Sequence, residues 1–407
     1  MYTKIDYLRR AARFANNIIR PGHKTLSTLM FYGTDICDSG CKHCLIWAKR
    51  PIIHLPKAKI IEIMGSKCVT KHTQVGLEGG EFLLHPEALE IMKWFKENHP
   101  NFDLLSNCLK PDNVIEAVKK YPPKRLFISL DGDKETYLYM RGKDGYESVL
   151  KVIENCKDLV PISLMFTLSP YNSFIDLDHV VSISKKYNID VRVGVYNDIA
   201  FFDTVEKAHE TDIGKMKTEK SVLTYKTVRE SLKGIVDSKT ESLTELQTKD
   251  IHTAKHDASK LSSNTVFKDT IPDNVRSTTE NYDFLLLYDE WRRKKVKLKC
   301  LSILDSIVIH PDGKVPICQN LNTRLGNVYD ATLDEIFNSV NSRKTQKEYV
   351  NTCNQCWINF HRKYDIVMIR TLEKFLPKKM IEMVYGKYQW TDDPKVTYKQ
   401  FLKTHNA

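Results

Sequence analysis

Between residues 25 and 196 short apolar runs alternate with amphipathic stretches, and no other feature limits the fold so strongly. Extended runs are expected at 28–32, 74–77, 102–105, 125–130, 162–166 and 191–195. Helices are expected between them at 58–66, 86–96, 112–120, 146–156 and 175–186. Six strand–helix repeats with apolar strands predict a parallel sheet covered by helices. Such sheets place their chemistry at the carboxyl ends of the strands.

The residues at those ends are distinctive. Cys37, Cys41 and Cys44 follow the first strand in a CxxxCxxC spacing. Three thiolates on one short loop leave one iron of a cubic four-iron cluster open to another ligand. A zinc knuckle or three scattered core thiols are the plain alternatives, although structural zinc takes four closed ligands and no fourth cysteine follows nearby. The second strand ends in Glu78-Gly79-Gly80-Glu81, where glycines admit a ligand close to the backbone and a carboxylate can bind an ammonium group. Far downstream, Cys300, Gly313 and Cys318 precede Cys353-Asn354-Gln355-Cys356. A hairpin is expected from Ser306-Ile307-Val308-Ile309 through Pro311-Asp312-Gly313 to Lys314-Val315-Pro316-Ile317. It brings four thiolates within reach of one another, for an iron–sulfur cluster or a zinc ribbon.

Taken together these motifs resemble the radical S-adenosylmethionine (SAM) superfamily. The resemblance implies a partial (β/α)6 barrel, an α/β fold, over about residues 26–198. It implies a [4Fe-4S] cluster on Cys37, Cys41 and Cys44, chelated at its open iron by SAM. Gly79, Gly80 and Glu81 match the motif that holds the SAM amino group. Asn107 ends the third strand near bound SAM, and Ser129 of Ser129-Leu130-Asp131-Gly132 would contact the ribose. Arg141 would grip the SAM carboxylate with two hydrogen bonds, and His43 would stack beside the adenine. The later cysteines resemble the auxiliary-cluster region of SPASM and twitch enzymes, a small α+β domain with a β-hairpin. Cys300, Cys318, Cys353 and Cys356 would hold a second [4Fe-4S] cluster; no cysteine follows Cys356, so the shorter, single-cluster form is expected.

The other cysteines, Cys68, Cys108 and Cys156, lie in apolar or helical surroundings and read as buried small hydrophobes. Cluster thiolates need a reducing compartment, and no signal peptide or membrane-length apolar run stands out, so a cytoplasmic protein is expected. The expected organisation is a basic amphipathic helix over 1–25, the barrel over 26–198 and a polar insertion over 199–282. An auxiliary-cluster domain over 283–360 and a basic helical tail over 361–407 follow. The formal charge of +11 concentrates at the two ends. Residues 1–25 carry six Lys or Arg against one acid, and 361–407 carry ten against five. In the first helix Ile5, Leu8, Ala12, Ala15 and Ile19 share one face, and Arg9, Arg10, Arg13 and Arg20 cluster on another. It is expected to cap the barrel bottom with its basic face in solvent; attachment to an anionic membrane surface or a phosphate-bearing carrier is the alternative. Nucleic acid is not expected as a partner, because the basic residues lack interleaved stacking aromatics.

The activity implied is reductive cleavage of SAM to a 5′-deoxyadenosyl radical that takes hydrogen from a substrate. The electron donor would be a flavodoxin or ferredoxin. The reading favoured is a net oxidation of a small polar, carbohydrate-like or carrier-linked substrate, so a radical SAM oxidoreductase. Ribosomal-peptide modification, by cross-link or epimerisation, is the alternative within the class. A non-catalytic metal-binding protein is the alternative outside it, although a staple needs no SAM motif.

Overall fold

A computed structural model of the chain describes residues 4–44, 46–169, 171–196, 267–321, 323–354 and 356–390. Most of the polar insertion expected over 199–282 lies outside the described residues, including Val222, Tyr225, Val228, Leu232 and Ile235, which recur at helical spacing in the sequence; the end of the basic tail does too.

Six parallel strands follow in chain order: β1 (Thr28–Thr34), β2 (Gln74–Gly79), β3 (Phe102–Ser106), β4 (Arg125–Ser129), β5 (Ile162–Leu168) and β6 (Asp190–Val195). After an N-terminal helix α1 (Lys4–Ile19), the crossovers are α2 (Lys57–Met64), α3 (Ala88–Asn98), α4 (Pro111–Lys120), α5 (Lys134–Arg141), α6 (Tyr146–Cys156) and α7 (Phe174–Tyr187). The expected strands and crossover helices are all present, with ends moved by at most two residues. Helix α5 was not expected. Its start is fixed by the Asp133 side chain, which accepts a 2.9 Å bond from Thr136 N, and its end by Gly142 at φ 66°.

Side chains alternate across the sheet, and that period of two divides core from cavity. Leu29 and Phe31 of β1, Val75 and Leu77 of β2, and Leu126 and Ile128 of β4 point to the helical layer and are buried in the main core. The positions between them point to the concave side. There Met30 and Tyr32 form a separate small cluster with Ile46 and Val308, beside Cys37 and Cys44.

The C-terminal segment corrects two expectations. Short strand β7 (Lys297–Leu298) precedes β8 (Ser306–Ile309), and β8 does not pair back along a hairpin. It lies parallel to β1, with Met30 opposite Val308, and so extends the barrel sheet to seven strands among the described residues. An edge strand as apolar as β1 would otherwise leave a row of unpaired backbone groups. The turn at Gly313, φ 81°, forms as expected, but one bond from His310 N to Lys314 O (2.9 Å) closes it before the arms part. The antiparallel pair lies one strand later, between β9 (Lys314–Pro316) and β10 (Arg324–Asn327). Near the end of the described chain β11 (Gly386–Lys387) returns to pair with β7.

Helix α1 caps the amino-terminal mouth of the barrel, but with the opposite face inward from that expected. Arg13 donates to Leu26 O (2.6 Å), Asn17 to Thr25 O (2.9 Å), and Arg10 pairs with buried Asp305 (3.3 Å). Ile5, Leu8 and Ile19 face out, exposed by 57, 69 and 76%. The amino-terminal ends of parallel strands present loop carbonyls and Asp305, and these acceptors select the donor-bearing face over the apolar one.

Candidate functional site

The cysteine loop leaves β1 at Thr34 and is anchored from two sides. Gly40 N and Ser39 Oγ both donate to Arg141 O, at 2.9 and 3.2 Å, and Lys42 N donates to Met140 O at 2.8 Å. Across the loop, Gly80 N donates to Thr34 O and Glu81 N to Ile36 O, each at 2.8 Å. These bonds explain the paired glycines better than ligand access does. A β-carbon on Gly80 would lie 2.0 Å from Ile36 O, and Gly79 has φ 132° with Thr34 O 2.7 Å from any added β-carbon. The GGE run is therefore the backbone seat of the cysteine loop. A buried ion pair, Lys49–Asp35 at 2.6 Å, braces the flanks of the loop.

Cys37, Cys41 and Cys44 line one cavity of about 340 Å³ on the concave side of the sheet. Burial first, and then the neighbouring Cys41 sulfur, push the Cys37 thiol up and the Cys44 thiol to about 12. Cluster binding must displace those protons. Glu81 lines the same cavity. Its Oε2 accepts from Asn107 N at 2.7 Å, while Oε1 is buried and has no hydrogen-bond partner among the described residues. Burial raises its carboxyl to about 7; the bonds from Asn107 and Ser106 ease that rise, and the nearby Asp38 adds to it. An orphaned carboxylate oxygen beside three thiols fits the amino group of a SAM molecule held there.

The other expected SAM contacts are also brought to this cavity: His43, Gly79, Gly80, Asn107, Ser129 and Arg141 all line it. Two are already engaged. Asn107 Nδ2 donates to Asp38 Oδ1 (2.8 Å), and Arg141 pairs with Asp131 through Nε (2.8 Å) and Nη2 (2.5 Å). Arg141 Nη1 also lies 3.7 Å from Cys41 Sγ. The geometry thus gives Arg141 a positioning role on the cysteine loop. Its partner Asp131, which also accepts from Thr167 N at 2.9 Å, was quoted in the sequence without a role.

Sequence reasoning missed a second set of cavity residues. Glu78, Asp103, Thr167 and Arg192 sit at inward strand positions, where the period of two puts polar groups into the cavity. Burial raises Glu78 to about 8, with Asp103 adding to it, and burial raises Asp103 as well. The signal was a polar residue at alternate positions of otherwise apolar strands.

Cys300, Cys318 and the Cys353–Cys356 pair come from three separate loops and line one small cleft with Ile303, Tyr349 and His361. Burial raises Cys300 to about 12, and mutual proximity adds to the rise for Cys318 and Cys356. Cys300 Sγ lies 3.6 Å from His361 Nδ1, a neighbour not expected from sequence. Asn320, 2% exposed, lines both this cleft and the barrel cavity. Next to it, Gln319 accepts a 2.8 Å bond from the Tyr32 hydroxyl of β1, tying the two sites together. The remaining thiols, Cys68, Cys108 and Cys156, are buried in the main core.

With this geometry in place, family comparison is decisive. The radical SAM superfamily model matches residues 31–182, and the SPASM iron–sulfur cluster-binding domain model matches residues 300–357. The chain belongs to the radical SAM superfamily and carries a SPASM domain. These domains imply a SAM-binding [4Fe-4S] cluster and auxiliary iron–sulfur ligation, and the thiols above fit both. None of the curated proteins compared matches the chain significantly. Among solved structures, it resembles Streptococcus suis SuiB at 14% identity and TM-score 0.51, over 84% of this chain and 72% of that one. It also resembles native anSMEcpe with bound AdoMet and Cp18Cys peptide, at 16% identity and TM-score 0.46, over 83% and 87% of the two chains. These likenesses concern the fold.

Proposed function

We propose that this radical SAM protein oxidises a small polar, carbohydrate-like or carrier-linked substrate within the barrel cavity. One observation carries the reading: inward strand positions place Glu78, Asp103, Ser129, Thr167 and Arg192 around a single cavity beside the cysteines. Burying such groups costs free energy unless a partner satisfies them. A substrate dense in hydroxyls supplies partners of both kinds. Glu78, held near neutral by burial at about 8, can donate as well as accept. A site of this kind rejects analogues that lack the hydroxyl, because its own polar groups would be left unpaired.

When bound, the reduced core cluster and SAM supply a 5′-deoxyadenosyl radical able to take hydrogen from an unactivated carbon. The protein's own residues do the rest. Gly79 and Gly80 seat the cysteine loop, Glu81 faces the SAM amino group, and Asp131 holds Arg141 against Cys41. The strand residues orient the substrate carbon. The four thiols of the SPASM cleft would hold a closed cluster, and a cluster with no open iron would suit uptake of the one electron that the substrate radical gives up, together with a proton, on becoming a carbonyl. Asn320 and the Tyr32–Gln319 bond lie between the two centres. A flavodoxin or ferredoxin is proposed as electron donor, and the cytoplasm as the setting.

SuiB is also seen with precursor peptide SuiA. Ribosomal-peptide modification is accordingly the second reading, and the polar lining is the observation that ranks it second. The experiment is hydrogen transfer from deuterated substrates. Reduced protein and SAM are offered per-deuterated polyols and, in parallel, deuterated peptides, and deuterium is measured in the released 5′-deoxyadenosine. Label from polyols with formation of a carbonyl product is expected. Label from peptides alone would replace this reading by the second, and no deoxyadenosine under any reductant would leave only metal binding.

A further inference from the structure

A second cavity, of about 260 Å³, opens at the amino-terminal mouth of the barrel, away from the cysteines. Its walls are unusually cationic. Arg9, Arg10 and Arg13 come from α1, Lys71 and Lys124 from the loops before β2 and β4. Arg192 of β6 and Lys363 of the helix Asn359–Leu372 complete the set, against a single lining carboxylate, Asp6. Some of this charge is met locally: Arg10 pairs with Asp305 and Lys363 with Glu280 (3.2 Å). Among the described residues no carboxylate lies within ion-pair distance of Arg9, Lys71 or Lys124, all of them exposed at the rim. The sum is a positive potential focused in a concave site. His72 at the rim registers it: burial first, then Arg9, Lys71 and Arg13, lower its pKa.

We infer that this mouth is a binding site for a phosphate-bearing ligand, engaged by Arg9, Lys71 and Lys124 with Arg13 behind them. The chemistry selects phosphate over a simple carboxylate. One carboxylate balances one cation, whereas a diphosphate carries several charges with acceptor oxygens on every side. Arginine forks and lysine ammonium groups match those oxygens, and Ser27, Thr28 and Asn101 on the same wall add neutral polar groups. The position matters as much as the charge. Thr28, Gln74, Arg192, Asn359 and Phe360 line both this cavity and the cysteine cavity, so one wall separates the phosphate site from the reaction site. The inference deepens the carrier-linked substrate reading, but its test needs no radical chemistry. The phosphate has two sources: a soluble phosphorylated ligand, or a lipid headgroup, for which the outward apolar face of α1 (Ile5, Leu8 and Ile19) would supply contact with the bilayer.

The test is calorimetric titration of the full chain with inorganic diphosphate. The wild type is compared with Lys71→Glu/Lys124→Glu and with Lys110→Glu/Lys134→Glu, a control of equal net charge whose two exposed lysines stand at the starts of α4 and α5, beyond the carboxyl ends of β3 and β4 and so at the opposite end of the sheet from the mouth. The first variant should bind about ten- to a hundredfold more weakly, the effect of losing two charge-assisted bonds; the control should bind as the wild type does. Circular dichroism melts of the three proteins check that each is folded. In a second arm, sedimentation with phosphatidylglycerol vesicles separates the sources. Vesicle binding that diphosphate competes away assigns the lipid headgroup, and diphosphate binding without vesicle binding assigns a soluble ligand. No diphosphate binding, or equal losses in both variants, would overturn the site while leaving the radical SAM reading untouched.

Discussion

Glu81 shows how burial turns one side chain into a pH-dependent contact. Its carboxyl is raised to about 7, so it is largely neutral below that pH and ionised above it. An ammonium group binds the ionised form. SAM affinity should therefore rise with pH through about 7 and be lost as pH falls, provided the SAM amino group stays charged. Equilibrium dialysis of cluster-loaded protein across this range measures it; Glu81→Gln should bind weakly with no step near neutrality, and a step that survives in that variant would assign the titration elsewhere. Gly80 makes a harsher demand. Gly80→Ala would press a methyl group to 2.0 Å from Ile36 O, so the seat of the cysteine loop must open, at a cost of about 3 kcal/mol or more. Iron analysis should find the core cluster missing and the SPASM thiols still loaded. Both residues were legible in the sequence, because GGE at a strand end is a local pattern. Asp131, Glu78 and Asp103 were not assigned, since their roles depend on register between strands distant in sequence. Arg141 was noticed for its guanidinium, but only the folded turn shows that Asp131 already occupies it.

At the scale of elements, periodicity carried strands and crossover helices well, because each is set by its own apolar spacing and caps. It failed where partner choice decides. Ser306–Ile309 looks like one arm of a hairpin, yet the unpaired edge of β1 outcompetes the near turn for it. Amphipathicity likewise located α1 but chose the wrong face, since the loop carbonyls and Asp305 at the barrel mouth offered more to the arginines than the core offered to Ile5 and Leu8. A consequence follows for truncation. A chain ending before β7 would lose the strand that covers β1 and the Asp305 carboxylate that holds Arg10. It should be insoluble, or melt far below the full chain, even though every core cysteine and the GGE run are retained. A truncated barrel that stays soluble and loads its core cluster would show that β8 contributes little to the sheet.

On the scale of the whole molecule, two thiol sites share one wall, and this arrangement separates electron transfer from scaffolding. Reconstituted protein should hold about eight irons per chain, and a Cys37/Cys41/Cys44→Ala variant about half of that. The auxiliary thiols come from three loops, Cys353 and Cys356 sharing one, and Asn320 in the same cleft adjoins the Tyr32–Gln319 link to the barrel, so a structural role is built in as well. Cys356 is buried, whereas Cys353 is only half-buried, so Cys353→Ala is the milder change and the better probe. If the auxiliary cluster takes the substrate's electron, folded Cys353→Ala protein with a full core cluster should still release 5′-deoxyadenosine but yield no oxidised product. The substrate radical would then regain hydrogen and return unchanged or inverted. Product analysis in deuterated water distinguishes this outcome, because a radical quenched by one electron from the reductant in the assay and one deuteron from solvent acquires deuterium. If instead the cluster only holds the cleft together, thermal melting should fall and deoxyadenosine and product should disappear together, since a site short of a ligand cannot close the fold around it. Core-loaded, normally melting Cys353→Ala protein that still makes oxidised product at the wild-type rate would remove the electron-acceptor role.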